Sequence, residues 1–457
     1  MSKINHLYWR AGFGLSPQEW AERKDWSIDR AVEDLFRQAK KAPTLPMPSL
    51  AIDKNFRSLN EKERKEILKK ERQNVLTHNI NWVKRMADPK ASALLERMTL
   101  FWHGHFACRS RSGKLAVQQI ATIREHALGS FKALVLGIAR DPAMIRYLNN
   151  QQNKKQQPNE NFARELMELF TIGRGHYTES DIKEAARAFT GWSSTLDGKF
   201  VFRRVWHDYD PKTFMGKTGR WDGEDIIDII LEQPATATFI VRKVYQYFVN
   251  EQVNERHVSV LSRVFYESNY DITLLMRTLL TSSWFYSPQN MANKIKSPVE
   301  LLAGMMRSLN IDFKNELNIL FVEKALGQVL FNPPNVAGWP GGQSWIDNST
   351  LMMRLNLATL IIGASEFDFQ AKMELEEKSQ KQSRRKIEAN ADLNPLAKLV
   401  KGKSDQEKIA SLGSYFLLKK PKVGPDFIKE FVQSRNQNEA IAMACMRLLS
   451  LPEYQLC

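Results

Sequence analysis

The chain has 457 residues, of which 43% are hydrophobic and 26% are charged, and its formal net charge is +15. This length and apolar content allow a large core with two or three packed substructures, and no run approaches the roughly 18 apolar residues that a membrane helix needs. The positive charge fits either an anionic partner or a lysine-rich surface, but no helix-turn-helix, zinc finger or aromatic ribonucleoprotein motif accompanies it, so nucleic-acid binding is not expected.

The opening residues and the cysteines bear on location. The first residues, MSKINHLYWRAGFG, contain no apolar stretch of signal-peptide type, so the sequence as written predicts a cytoplasmic protein or one already trimmed. Cys108, Cys445 and Cys457 are widely spaced, and no pair of them forms a C-x-x-C. We therefore expect free thiols and neither a disulfide framework nor a zinc cage.

A helix carrying two histidines is predicted over ASALLERMTLFWHGHF, after a charged helical segment (about 50–84) that is interrupted at Asp88. In a continuous helix His103 and His105 point about 200° apart and cannot hold one ion. Gly104 favours a helix that ends at His103, which lets His105 turn back toward the same pocket. The alternative for either imidazole is a core histidine whose hydrogen bonds are satisfied within the fold.

Two more helices are predicted over 114–128 and 130–140, and a short one begins at Asp141. The stretch 158–192 follows, with the sequence PNENFARELMELFTIGRGHYTESDIKEAARAFTGW. On a wheel of about 100° per residue, the apolar side chains of its first helix fall on one arc: Phe162, Ala163, Leu166, Met167, Leu169 and Phe170. The opposite arc holds the polar set: Glu160, Asn161, Arg164, Glu165 and Glu168.

This acidic arc has two interpretations. Arg164 is four residues from both Glu160 and Glu168, so the arc can be a solvated helix face with weak ion pairs. It can also be one wall of a polar site whose other wall includes His103, because carboxylates and imidazoles on facing helices are ligands for a divalent ion. The second helix of the stretch is predicted to begin after Thr178, an N-cap with an acidic residue three positions on.

The only β candidate lies at about 193–221, where KFVFRRVW is followed by the turn-rich HDYDPKTFMGKTGRW. We predict a short hairpin or an irregular flap. It contains His207, Asp208 and Lys212, and a histidine beside an aspartate can serve as a ligand or a general base. The alternative is an exposed turn.

Helices resume after Asp222, and Ser297 with Glu300 predicts a capped helix start. A long loop, LFNPPNVAGWPGGQSWID, precedes a helix from about residue 348. Its Asn335, Trp339 and Trp345 could stack a sugar or a base. Indole rings also pin long loops to a core, and that interpretation is slightly favoured.

The predicted fold is therefore mainly α, a multi-helix orthogonal or bundle-like body with one small β hairpin or flap. The body is expected to span 1–370. The segment 371–400 is charged and nearly free of aromatics, which predicts a linker or an exposed helix. Residues 401–457 are expected to form a C-terminal helical cap.

Six segments in order resemble the signature blocks of the bacterial family known as domain of unknown function 1800: NHLYWRAGFG, LFWHGHFA, PNENFARELMELFTIG with YTESDIKEAARAFTGW, HDYDPKTFMGKTG, KSPVELLAGMMRSL and PPNVAGWPGGQSWI. The resemblance covers nearly the whole chain and implies neither an established activity nor a list of catalytic residues. It implies relatives that are often secreted and often encoded beside a sulfatase-like family, which makes a sulfatase-like protein a possible partner. This chain departs from that pattern in showing no secretion signal.

No familiar catalytic motif is present, since H-E-x-x-H, G-x-S-x-G, a Walker loop and a dinucleotide fingerprint are all missing from the sequence. The first hypothesis is an enzyme of hydrolytic or metal-assisted type with a polar interhelical site. Its catalytic set is Glu160, Arg164, Glu165, Glu168, His103 and His207. Its substrate-binding set is Asn161, Asp208, Lys212, Asn335, Trp339 and Trp345. A divalent metal ion would be held by His103, His105 and Glu168. The alternative is a non-catalytic helical scaffold that binds a partner protein or an anionic polymer.

Overall fold

The fold is mainly α-helical, as predicted, with small two-stranded sheets. A computed structural model describes residues 2–46, 58–195, 197–363, 366–367, 385–424 and 437–457. The helices of the first half are α1 (Lys3–Arg10), α2 (Pro17–Arg23), α3 (Ile28–Lys41), α4 (Glu61–Ala87), α5 (Ala93–His105), α6 (Gly113–His126), α7 (Phe131–Ala139), α8 (Pro142–Tyr147), α9 (Asn161–Glu165) and α10 (Glu179–Ala188). Those of the second half are α11 (Gly223–Leu231), α12 (Pro234–Phe248), α13 (Glu255–Glu267), α14 (Ile272–Thr281), α15 (Pro298–Leu309), α16 (Leu317–Leu326), α17 (Asn348–Ile362), α18 (Asn394–Leu399), α19 (Asp405–Phe416) and α20 (Gln437–Leu449).

The β structure consists of short antiparallel pairs of strands. The strands are β1 (Trp192–Ser194), β2 (Phe200–Phe202), β3 (Lys212–Phe214), β4 (Lys217–Gly219), β5 (Ile311–Phe313), β6 (Glu366–Phe367), β7 (Arg385–Lys386) and β8 (Ala389–Ala391). The pairs are β1 with β2, β3 with β4, β5 with β8, and β6 with β7. The predicted flap is thus two hairpins. The second turns at Met215 and Gly216, both with positive φ, as a two-residue turn that matches strand twist requires.

Helix starts were predicted well because their caps are local. Thr178 and Asp181 bond each other's backbone amides at the start of α10, and Ser297 and Glu300 do the same at the start of α15. The predicted end of α5 was wrong. That helix continues to His105, and the N–H of Phe106 still donates to the carbonyl of Trp102 at 2.8 Å, so Gly104 lies inside the helix.

The centre of the fold is formed by α5 and α15. Every residue of α15 is buried, and so is every residue of α5 except Gly104. Arg97 of α5 and Glu300 of α15 form a buried ion pair with 2.6 Å between Nη1 and Oε1. Because both helices lack an exposed face, their polar side chains must find partners inside the protein.

The two ends of the chain pack together. The side chain of Asn5 donates to the carbonyl of Tyr415 at 2.9 Å, and the Tyr415 hydroxyl donates to the carbonyl of Leu15 at 2.7 Å. The ring of Trp9 meets that of Tyr454 edge-on, with 6.1 Å between centroids. The C-terminal helices therefore contact α1 directly.

Part of the predicted charged segment, 371–384, lies outside the described residues. Its described end contains β8 and α18, and Ile387 and Leu396 are buried. The boundaries predicted at 370 and 400 stay predictions.

Candidate functional site

The predicted acidic arc begins with a half-exposed ion-pair network. Arg164 donates to both carboxylate oxygens of Glu179, at 2.9 and 2.8 Å, and to Glu160 at 3.1 Å. Glu179 comes from α10, so the network ties two successive helices together. These hydrogen bonds raise the pKa of Arg164 and lower that of Glu179. The side chains of Arg164, Glu160 and Glu179 are 35%, 37% and 69% exposed, and water screens their charges.

Of the rest of the arc, Asn161 and Glu165 lie on α9, and Glu168 lies on a π-helical turn, Leu166–Thr171, that continues it. Glu168 pairs with Arg174 and not with Arg164. Burial, followed by the charge of Glu168, raises the pKa of Glu165. The Asn161 side chain donates to the carbonyl of Leu148 at 3.2 Å, which is a structural contact. The apolar arc is buried as predicted, although Leu169 is only half-buried.

The two histidines of α5 point in different directions, as a continuous helix requires. His105 reaches the acidic helix, but its Nε2 lies 3.0 Å from the backbone carbonyl of Phe170 and not beside a carboxylate. His103 instead contacts the turn after α16. Across the described ranges, no group of three or more His, Cys, Asp and Glu side chains is arranged to hold an ion. The structure therefore does not assemble the predicted metal set of His103, His105 and Glu168.

A second polar cluster holds the β3–β4 hairpin against α10. The Nδ1 atom of His207 lies 2.9 Å from the carbonyl of Thr190, and the Asp208 carboxylate accepts from Arg187 at 2.7 Å. The buried ammonium of Lys212 donates to the carbonyl of Asp208 at 2.6 Å. Burial lowers the pKa of His207 and of Lys212. Because these bonds join loop to helix, the cluster positions the hairpin.

The three residues predicted to form a stacking platform in the loop 330–347 lie in different environments. Asn335 is exposed and accepts from the amide of Ala337 within a turn, while Trp345 is 7% exposed and anchors the loop. Trp339 is half-buried, and its ring centroid lies 5.4 Å from that of His103. Only Trp339 therefore approaches a predicted catalytic residue.

His103 binds the same backbone turn as two polar side chains that the sequence did not single out. Its Nε2 accepts the N–H of Phe331 at 3.2 Å. The preceding amide, that of Leu330, lies 3.5 Å from Oε1 of Glu323, and the Asn79 side chain donates to the carbonyl of Leu330 at 3.2 Å. Helices α4, α5 and α16 thus each bring one polar group to the same two-residue turn. We call Asn79, His103 and Glu323 the buried triad.

Burial perturbs the two titratable members of the buried triad in opposite ways. It lowers the pKa of His103 to about 3, since removal from water penalises the imidazolium. It raises the pKa of Glu323 to about 8, since removal from water penalises the carboxylate more than Asn79 and the Leu330 amide stabilise it. At neutral pH the triad therefore holds a neutral imidazole and a protonated carboxyl.

Each member of the buried triad keeps one atom without a hydrogen-bond partner among the described residues. These atoms are Nδ1 of His103, Oε2 of Glu323 and Oδ1 of Asn79. Because Nε2 of His103 accepts from Phe331, the imidazole proton resides on Nδ1, which is thus an unused donor. Buried polar atoms in native proteins are nearly always paired, so three together need an explanation.

A Pro/Gly-rich loop covers the buried triad. Phe331 has φ 64°, an uncommon conformation for a bulky residue. Gly338 has φ 82°, and a Cβ there would stand 2.3 Å from the carbonyl oxygen of Gly104. Only glycine therefore lets the loop lie on the end of α5, where Trp339 and Trp82 flank the His103 ring.

Sequence reasoning found His103 but missed Glu323 and Asn79. The available signal was a glutamate inside LNILFVEKAL, a helix that is otherwise largely apolar and mostly buried. A carboxylate is rarely placed in such surroundings unless it is paired or protonated.

Comparison with known proteins gives one match. A family model described as "Protein of unknown function (DUF1800)" matches residues 6–456. Neither a curated protein nor a solved structure matches the chain. Among the described helices, none combines the length and apolar character needed to cross a membrane.

Proposed function

The chain belongs to the DUF1800 family, whose description assigns no activity, and we propose that it is a hydrolytic enzyme whose chemistry is carried by Glu323 and His103. The proposal keeps the polar interhelical site and His103 expected from the sequence. It replaces the carboxylates of the acidic arc by Glu323.

The observation that carries the proposal is that burial under the loop 330–347 lowers the pKa of His103 and raises that of Glu323, so that both groups are neutral near pH 7. A buried carboxyl that keeps its proton near neutral pH can act as a general acid, and a buried imidazole that stays neutral can donate a hydrogen bond to an oxygen that becomes negative. Both side chains are fixed by consecutive backbone amides, those of Leu330 and Phe331. Such anchoring holds reactive groups in one geometry.

Each group has a defined role in the proposed reaction. Glu323 gives its Oε2 proton to the leaving oxygen of an ester-type bond as that bond breaks, and its carboxylate takes a proton back from the attacking water. The Nδ1–H of His103 donates to the oxygen on which negative charge develops. Asn79 supplies an acceptor that orients the water. The substrate enters when the loop bearing Trp339 opens, and closure excludes bulk water.

The test is a panel of nitrophenyl carboxylates, phosphates, sulfates and glycosides with the wild-type chain, Glu323→Gln and His103→Gln. We expect hydrolysis of one class, reduced about 100-fold or more by either change. Glu267→Gln and His176→Gln are matched controls at exposed positions and should keep the wild-type rate. A folded Glu323→Gln variant with wild-type activity, or a wild-type chain inert to the whole panel, would contradict the proposal.

A second candidate is the non-catalytic scaffold. It is favoured by the Arg164 network, in which the predicted catalytic carboxylate Glu160 is paired with an arginine that joins α9 to α10 through Glu179. This candidate predicts that Glu323→Gln changes stability alone and that a partner protein or an anionic polymer binds with strong salt dependence.

A further inference from the structure

A second group of buried charges shares no residue with the buried triad and has an excess of positive charge. Its cations are Arg10, Arg97, Lys294, Lys296 and Arg354. We call these residues the cation cluster. Glu300 lies among them, and its charge favours the protonated form of all five, although burial still lowers the pKa of every member except Arg97. Cys457 adds an acidic group that acts on four of the five cations, and Glu251 adds one that acts on Arg10 and Lys294. The cations therefore still outnumber the acids that face them.

Burial makes this excess costly. Arg10 and Arg354 are 0% exposed and Lys296 is 1% exposed. A buried charge without a counter-ion costs several kcal/mol, so such groups are paired, neutralised or bound to a ligand. Arg97 is paired with Glu300, whereas Arg10 is held by neutral acceptors, the carbonyls of Phe248 and Asn290 and the side chain of Asn293.

Arg354 has buried hydrogen-bond donors that are not used. Its Nη1 donates to the carbonyl of Lys296 at 3.0 Å, but its Nε and Nη2 atoms are buried without a partner among the described residues. Nε and one Nη of a guanidinium form the fork that binds two oxygens of a carboxylate, phosphate or sulfate. No protein carboxylate takes that fork within the described part of the chain.

Lys296 supplies a second positive group next to Arg354. Its ammonium donates to the carbonyl of Tyr454 at 2.7 Å and lies 3.5 and 3.7 Å from the ring centroids of Trp9 and Tyr454. Burial lowers its pKa to about 7, so the charge is barely kept at neutral pH.

We propose that Arg354 and Lys296 bind a compact tetrahedral oxyanion, of the phosphate or sulfate class, inside the fold. The anion accepts from Nε and Nη2 of Arg354 and from the Lys296 ammonium, and it balances the excess charge of the cation cluster. Because these groups are fully buried, the anion enters as the chain folds or opens locally, and its exchange is slow. This site is independent of the buried triad.

The first test needs no substitution. Protein purified with chloride as the only added anion is denatured, and the released phosphate and sulfate are measured by ion chromatography, which also distinguishes the two. About one oxyanion per chain is expected. In parallel, phosphate and sulfate should raise the melting temperature by a few degrees over chloride at equal ionic strength, and the rise should follow the logarithm of the anion concentration. Absence of both effects in the wild-type chain overturns the proposal.

A substitution then locates the site. Arg354→Met should abolish the released anion and the anion-dependent rise, whereas Arg256→Met, at an exposed arginine, should leave both unchanged. If Arg354→Met does not fold, Arg354→Lys keeps the positive charge but removes the fork of Nε and Nη2, and it should weaken retention of the anion. Undiminished anion release from a folded Arg354→Met variant places the anion elsewhere and refutes the assignment.

Discussion

Replacing Glu323 by glutamine tests the electrostatics of the buried triad without any substrate. Burial raises the pKa of this carboxyl from its ordinary value of 4.5 to about 8. Below pH 4.5 the group is protonated in both the folded and the unfolded chain. Between those two values only the unfolded chain releases the proton, so the stability of the folded protein falls as pH rises, and above about pH 8 it levels off.

The magnitude follows from the same two values. Each pH unit inside the window costs about 1.4 kcal/mol, so the whole effect is on the order of 5 kcal/mol and the interval from pH 5 to pH 8 contains roughly 3.5 kcal/mol. Glutamine has nearly the same shape and does not titrate. We therefore expect the unfolding free energy of the wild type to fall by roughly 3.5 kcal/mol relative to that of Glu323→Gln between pH 5 and pH 8.

The assay is urea unfolding at several pH values, with the slope of free energy against urea checked for constancy. Glu267→Gln, at an exposed position, is the matched control and should follow the wild-type curve. Parallel pH dependences for wild type and Glu323→Gln would show that the carboxyl is not held neutral. The proposed general acid would then lack its proton at neutral pH.

Three further substitutions test other parts of the structure. Glu300→Gln should cost about 3 to 5 kcal/mol of unfolding free energy, measured in urea, because Arg97 and its neighbours then lose their buried counter-ion. Gly338→Ala should lower the melting temperature by several degrees, since the added Cβ meets a carbonyl and φ is positive; an unchanged value would show that the loop shifts freely. Arg164→Ala should change the melting temperature by less than about 2 °C, because its ion pairs are exposed; a larger loss would mean that the network carries the α9–α10 packing.

The helices were predictable where their signals are local. The cap at Thr178 and the proline after Ser297 each specify a start within four residues, and the structure confirms both. Gly104 was misleading because its local preference for ending a helix is weaker than the tertiary packing that buries the whole of α5. A glycine in the sequence does not indicate whether packing in the core will extend the helix beyond it.

The candidate site was only half predictable for a different reason. His103 carried a visible signal, but its neighbours Asn79 and Glu323 lie on separate helices, and nothing in one sequence records which helices meet. The prediction instead placed the site at the dense charges after residue 158. Their pairing with Arg164 and Arg174 identifies them as contacts between neighbouring segments.

The contact of Asn5 with Tyr415 has a consequence for biosynthesis. These residues are 410 positions apart, so at the usual pace of about 5 to 20 residues per second the ribosome delivers the second roughly 20 to 80 s after the first. During that time the apolar side of the opening helix lacks part of the surface that finally covers it. The final packing of α1 is therefore completed only after the C-terminal helices have been synthesised.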